Sequence, residues 1–312
     1  MMRSVYLLLF LLVSFLSAAC GSGSSIGEIH GAPEMFSYET VWAFSPTDVW
    51  IGGSPAMTLE QSTALVHFDG DEWSTTEVSP YHIASLWGFA PDDLWAVGNE
   101  YVLRFDGSSW QETSLNELGG NDLLDIWGSS PQDLWAVGES GVFHYDGTSW
   151  MRQSNYGANA IWGADPDAIW TISTFAFRHY DGTSWSEFEL DLFGGDGKIW
   201  GFGAGEVFIA ANDDSIAHWD GSSWSELSDD ATFGDLNSVW GVAPDDLWFA
   251  GDFGEIVHYN GSTFREIDRQ ALGSPYLKQY HDIHGSSADD VWIVGGVLGA
   301  EGNYGVIYHA GN

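Results

Sequence analysis

From about residue 35 onward the chain alternates short runs of aromatic and β-branched residues with short polar turns, and no apolar spacing of helical period competes. One phrase carries the pattern. Its clearest copy, Asp125 to Trp150, reads DIWGSSPQDLWAVGESGVFHYDGTSW. The opening aromatic recurs as Trp42, Trp87, Trp127, Trp162, Trp200 and Trp240, with His284 in the seventh place. The second recurs as Trp50, Trp95, Trp135, Trp170, Trp248 and Trp292, with Phe208 in the fifth copy. The closing one is Trp73, Trp110, Trp150, Trp185 and Trp224, then Phe264. These columns take every tryptophan except Trp219, which fills the slot held by Phe68, Phe105, Tyr145, Tyr180 and Tyr259. A period of about 40 residues is the size of one four-stranded propeller blade.

Copy three divides into LDIWG, LWAVG, GVFHY and WMRQ, separated by the turn signals SSPQD and DGTS. Gly147 sits where a positive φ costs least, and Asp146 can accept hydrogen bonds from its own turn. Both faces of each strand are apolar, so one sheet alone would leave a face in water; stacking like sheets covers both. Seven copies predict an all-β fold, a seven-bladed β-propeller of four-stranded antiparallel blades. The seventh copy supplies only three strands before Asn312, and residues 26–38 precede the first copy. Part of that N-terminal segment is therefore expected to close the last blade.

The first residues have another logic. Arg3, the apolar run Val5 to Leu16 and the small residues Ser17, Ala18 and Ala19 fit a secretory signal peptide over residues 1–19. The ending resembles a bacterial lipobox, which implies a lipid on Cys20; Ser17 departs from that pattern, and ordinary cleavage near Ala19 is the alternative. Cys20 is the single cysteine, so no intramolecular disulfide forms in an oxidising compartment. Residues 20–25 then form a flexible linker, and residues 26–312 the propeller. The expected place is the bacterial outer membrane, with a lipid anchor as the only membrane contact.

A formal charge of -37, with Lys198 and Lys278 the only lysines, repels phosphate backbones and excludes nucleic acid as a partner. Acidic clusters such as Asp229, Asp230 and Asp235, or Asp69, Asp71 and Glu72, raise calcium as a question, but neither has an EF-hand spacing. No cofactor is expected. Six histidines share one strand-three position (His67, His144, His179, His218, His258 and His309, with Arg104 in copy two). Ring symmetry keeps them on separate blades, too far apart to share one metal, so hydrogen bonding to a nearby turn is the expected role and no metal site is assigned.

The phrase HYDGTSW resembles the Asp-box repeats of sialidase-like propellers, though here Asp and Gly are adjacent. DLWAVGESGVFHYDG is similar to tectonin-type propeller repeats, a likeness that covers almost the whole mature chain. Both imply a propeller, and a fold of this type hosts unrelated activities. The Asp-box likeness would imply a sialidase-like glycoside hydrolase, whose family holds its substrate carboxylate with three arginines. After the leader only Arg104, Arg152, Arg178, Arg265 and Arg269 remain, with Arg104 and Arg178 in repeat strands, so no catalytic residue is assigned.

Recognition belongs to the irregular connections. After strand two, copy one inserts residues 53–64 and copy seven residues 296–305, and the longest link between blades runs from about Asp268 to His281. Ring closure makes blades seven and one neighbours, so these segments gather on one sector with the link holding Tyr81 and His82. The candidate contact residues are Tyr81, His82, Tyr276, Lys278, Tyr280, His281 and Tyr304. A non-catalytic monomer is expected, binding an envelope protein, or alternatively a glycan by aromatic stacking.

Overall fold

The computed structural model describes residues 25–33, 35–55, 63–78, 82–174, 176–188, 197–211, 215–227, 234–268, 276–299 and 302–311. Within them, 28 strands form seven four-stranded antiparallel sheets, and the one helix is a 3-10 turn, Asn116–Leu118. Blade three shows the rule: Leu123–Ser130, Asp133–Gly138, Gly141–Tyr145 and Trp150–Ser154 pair in chain order from the axis outward. Blade seven breaks it. Tyr276–Ser287, Asp290–Gly299 and Tyr304–Gly311 are followed by the first strand of the chain, Ser25–Glu28. Its register runs from Ser25 opposite Gly311 to Glu28 opposite Tyr308, so the N-terminal segment closes the ring as the sequence predicts.

Register explains the tryptophan columns. The first two aromatics of each copy face each other across strands one and two, as in Trp127 opposite Trp135 and His284 opposite Trp292. The strand-three residue continues the same line, His144 opposite Trp135 and Arg104 opposite Trp95. The closing aromatic pairs within its own outer hairpin, then covers the second-column tryptophan of the preceding blade. Trp110 lies 5.6 Å from Trp50, Trp185 6.0 Å from Trp135, and Trp73 6.4 Å from Trp292. The buried clusters accordingly sit between blades.

Glycine after the first tryptophan has a packing cause. A Cβ on Gly163 would lie 2.6 Å from the Trp127 indole, and one on Gly201 2.6 Å from that of Trp162, so each glycine makes room for the preceding blade's ring. Blade one has Ala43 there, and its neighbour across the seam is the smaller His284. The Ala43 amide donates to His284 Nδ1 at 3.1 Å, and the imidazole stacks on Trp42 at 4.2 Å. Burial pulls the His284 pKa down to about 3, against the pull of Asp290, so the ring is neutral and accepts that hydrogen bond.

Five of the six strand-three histidines grip an acid at the start of strand two, and all six lie against the second-column aromatic opposite, a tryptophan or, in blade five, Phe208. His144 Nε2 is 2.6 Å from Asp133, His67 2.7 Å from Asp48, His258 2.7 Å from Asp246, His309 2.7 Å from Asp290 and His218 2.8 Å from Glu206. Arg104 replaces the histidine in blade two and forks onto Asp93 at 3.0 and 3.1 Å. Blade four carries Ala168 in place of the acid, and His179 Nε2 is buried without a partner among the described residues. Burial also holds the His179 pKa below its ordinary value, against Asp181 and Asp165. Ala168→Asp should supply the missing acceptor, stabilise the fold by about 1 kcal/mol and raise Tm by roughly 2–4 °C. A lower Tm in differential scanning calorimetry would contradict this latch.

The turn aspartates act as caps. Asp146 Oδ1 accepts the amides of Thr148 and Ser149, both at 2.9 Å, and Asn260 does the same for Ser262 and Thr263 at 3.1 and 2.9 Å. Asp69 accepts from Asp71 and Glu72 at 3.0 and 2.8 Å, so its carboxylate closes a turn. Asp229 and Asp230 lie outside the described residues. Among the described residues no group of three His, Cys, Asp or Glu is placed to hold a metal ion.

Candidate binding site at the axial mouth

The inner strands line the axis, and one column breaks their apolar character: Thr40, Ser85, Asp125, Ala160, Lys198, Ser238 and Asp282, each two residues before the first aromatic. Asp125 accepts from Ser85 Oγ of blade two at 2.6 Å, its neighbour Ile126 N at 3.1 Å, and Ile161 N of blade four at 3.0 Å. Asp282 repeats the arrangement at the seam. It accepts from Ser238 Oγ of blade six at 2.8 Å, Ile283 N at 2.9 Å, and Thr40 Oγ1 and Val41 N of blade one, both at 3.0 Å. Each aspartate therefore ties three blades together. Lys198 of blade five reaches past the small Ala160 to within 3.3 Å of Asp125.

Burial pushes the Asp282 carboxyl pKa up, and the Lys198 charge with the hydrogen bonds from Val41, Ser238 and Thr40 opposes it. Beyond this layer Val41, Leu86, Ile126, Ile161, Ile199, Val239 and Ile283 narrow the axis, leaving about 60 Å³ of space. Little open space therefore remains along this stretch of the axis.

Above it lies a depression of about 430 Å³ to which every blade contributes: Glu39, His82, Glu139, Asn159, Lys198, Asn237 and His281. It opens on the face that carries the connections after strands two and four. His281 stitches the seam, its Nδ1 3.0 Å from Glu39 Oε2, 3.1 Å from Tyr38 O and 3.2 Å from Ser37 Oγ. Burial depresses its pKa, but the hydrogen bond and charge of Glu39 outweigh that and hold it above the ordinary imidazole value. Glu39 is raised by burial and, more strongly, lowered by His281 and Ser37, so its carboxyl lies below the ordinary value. His82 makes no such bond among the described residues: burial, with His281 nearby, lowers its pKa despite the pull of Glu39.

Of the residues singled out from sequence, His82 and His281 line this mouth. The segment from Tyr276 to His281 is not a loop; it is the start of the inner strand of blade seven, with Tyr276 opposite Gly299. Pairing with an equally extended second strand explains this. Tyr280 is fully buried, its ring edge-on to Tyr308 at 5.4 Å. Lys278 Nζ donates to Tyr308 Oη at 2.8 Å, and Tyr308 Oη donates to Glu28 Oε2 at 3.2 Å, so this group fastens the closing strand. Tyr304 is exposed and lines a separate depression of about 640 Å³ with Glu28, His30 and Tyr38. Cys20 and Tyr81 lie outside the described residues, as do residues 56–62, 269–275 and 300–301 of the irregular connections.

Sequence reasoning passed over Glu39, Glu139, Asn159, Lys198 and Asn237, and with them the axial aspartates. A signal for the axial layer was present: aligning the copies exposes a polar column beside the first tryptophan.

Fold and axial site together define a seven-bladed β-propeller with a narrow channel and an open mouth. By sequence, the chain matches no family model and no curated protein. Solved structures share its architecture. YCF48 bound to D1 peptide is 15% identical, with TM-score 0.71 over 95% of this chain and 99% of that one. The WD40 propeller domain of Doa1 is 10% identical, with TM-score 0.68 over 91% and 96%. The extracellular domain of a hybrid two-component system from B. thetaiotaomicron is 12% identical, with TM-score 0.69 over 91% of this chain and 42% of that longer one. At these identities the likeness is one of fold.

Proposed function

We propose that this chain is an exported, non-catalytic binding propeller, held at the cell envelope by a lipid on Cys20, that receives a segment of a protein partner at its axial mouth. One observation carries the reading: a polar cavity drawn from all seven blades stands over a floor closed by hydrogen-bonded aspartates. A rigid ring holds the lining side chains at fixed separations, which reduces the ordering cost of binding. The structure of YCF48 with a peptide supports the idea that this architecture can serve a peptide ligand. In this reading His82 and His281 contact the partner from the centre of the face, not from the blade seven–one sector.

A glycan reading rests on a different place. Between blades two and three a groove of about 440 Å³ is walled by Trp95, Tyr145 and Trp150 and edged by Arg104, Gln111 and Glu117. Aromatic faces beside hydrogen-bonding groups suit sugar rings.

Site-specific photocrosslinking separates the two. A benzophenone amino acid at Asn159 in the full chain, in its own cells, should give a discrete protein adduct, and the same probe at Asp71 on the opposite face should give none. Cys20→Ser should move the protein from the membrane to the soluble fraction. Equal labelling from both positions, or glycan-array binding abolished by Trp150→Ala with no adduct at Asn159, would replace the axial reading.

A further inference from the structure

The mouth says something about the chemistry of what it receives. Two of its nitrogen-bearing side chains already face carboxylates: Lys198 sits 3.3 Å from Asp125, and His281 Nδ1 3.0 Å from Glu39. Glu139, at the turn after strand two of blade three, is exposed and makes no side-chain hydrogen bond or ion pair among the described residues. Asn237, on the blade-six side of the mouth, donates its amide hydrogens to Asp252 Oδ1 at 2.9 Å and Tyr280 O at 3.0 Å. Among the described residues of the lining, Lys198 and His281 therefore each face a carboxylate already, and the Glu139 carboxylate faces no cation. The whole chain, at -37, focuses negative potential into this concave opening.

We propose that the axial mouth binds the side chain of a lysine or arginine on a basic segment of a partner protein, with Glu139 as its carboxylate partner. An ammonium offers three donors and no acceptor, and a guanidinium five, which complements such a carboxylate. A cavity of about 430 Å³ accommodates one such side chain with bridging waters. An acidic or phosphorylated segment would meet the uncompensated Glu139 carboxylate and is disfavoured. This assignment rests on the axial mouth being the binding site.

The test is calorimetric titration of the full chain with a capped glycine-spaced peptide carrying three lysines, and with its three-glutamine counterpart. The lysine peptide should bind at least about 10-fold tighter, with an affinity that falls as salt rises. Glu139→Gln should weaken it by about 5-fold or more. Asp71→Asn, the same charge change at an exposed turn on the opposite face, should leave it within about 2-fold, as expected for a screened, distant charge. Equal weakening by both variants would reveal diffuse attraction to a polyanion and overturn the proposal. Binding of the glutamine peptide that Glu139→Gln still weakens would remove the cation requirement while keeping the mouth as the site. No binding of either peptide, with no adduct at Asn159, would remove both.

Discussion

Deleting residues 26–34 should lower the melting temperature of the mature chain by more than about 10 °C, the larger of the two strongest effects expected here. The strand Ser25–Glu28 pairs four residues with the last strand, and Ile29 N adds a bond to Ile307 O at 2.8 Å. Ile26 packs on the cluster between blades six and seven, and Ile29 and Ala32 on that between seven and one. Two partly buried isoleucines and about five net hydrogen bonds amount to roughly 4–6 kcal/mol. The deletion also exposes the edge of Tyr304–Gly311 and strands Lys278 and Tyr308 without Glu28. A synthetic peptide of residues 25–33 added in trans should restore part of the loss. An unchanged melting curve would mean that the ring closes without this strand.

Replacing Asp282 with Ala should cost about 3–5 kcal/mol, because its donors stay buried when their acceptor is removed. Val41 N, Thr40 Oγ1 and Ser238 Oγ belong to blades one and six, so the damage falls on the seam. Asp282→Asn should be milder: the amide keeps one acceptor oxygen, though its NH2 cannot receive the Val41 amide. Hydrogen exchange reads the site directly. The Val41 amide should exchange much faster in Asp282→Ala than in the native chain, while Ile161, held by Asp125 at 3.0 Å, should change less. Equal protection at Val41 in both proteins, with an unchanged denaturation midpoint, would show that the aspartate does not clasp the blades.

Only some of this was legible before the fold was known. Blade number, strand order and ring closure followed from the periodic aromatics because each copy is a local unit whose hairpins are fixed by its own turns. The turn role of Asp146 and its equivalents was readable for the same reason, since Asp and Asn260 serve one geometry. The inner strand of blade seven was not. Tyr276 to His281 looked like linker because the repeat phrase begins only at Asp282, yet an equally long partner strand pairs with it.

What the amino-acid sequence determined by itself was the repeating unit and the number of units, since stacking sheets with two apolar faces needs only short-range pattern. What the tertiary structure decided was the meaning of residues that differ from copy to copy. Asp125, Lys198 and Asp282 are 73 and 84 positions apart along the chain and meet only because the sheets close around an axis. Glu139, Asn237 and His281 come to one opening for the same reason. Electrostatics and hydrogen bonding act through space at a few ångströms, and a ring brings together positions that no local pattern relates.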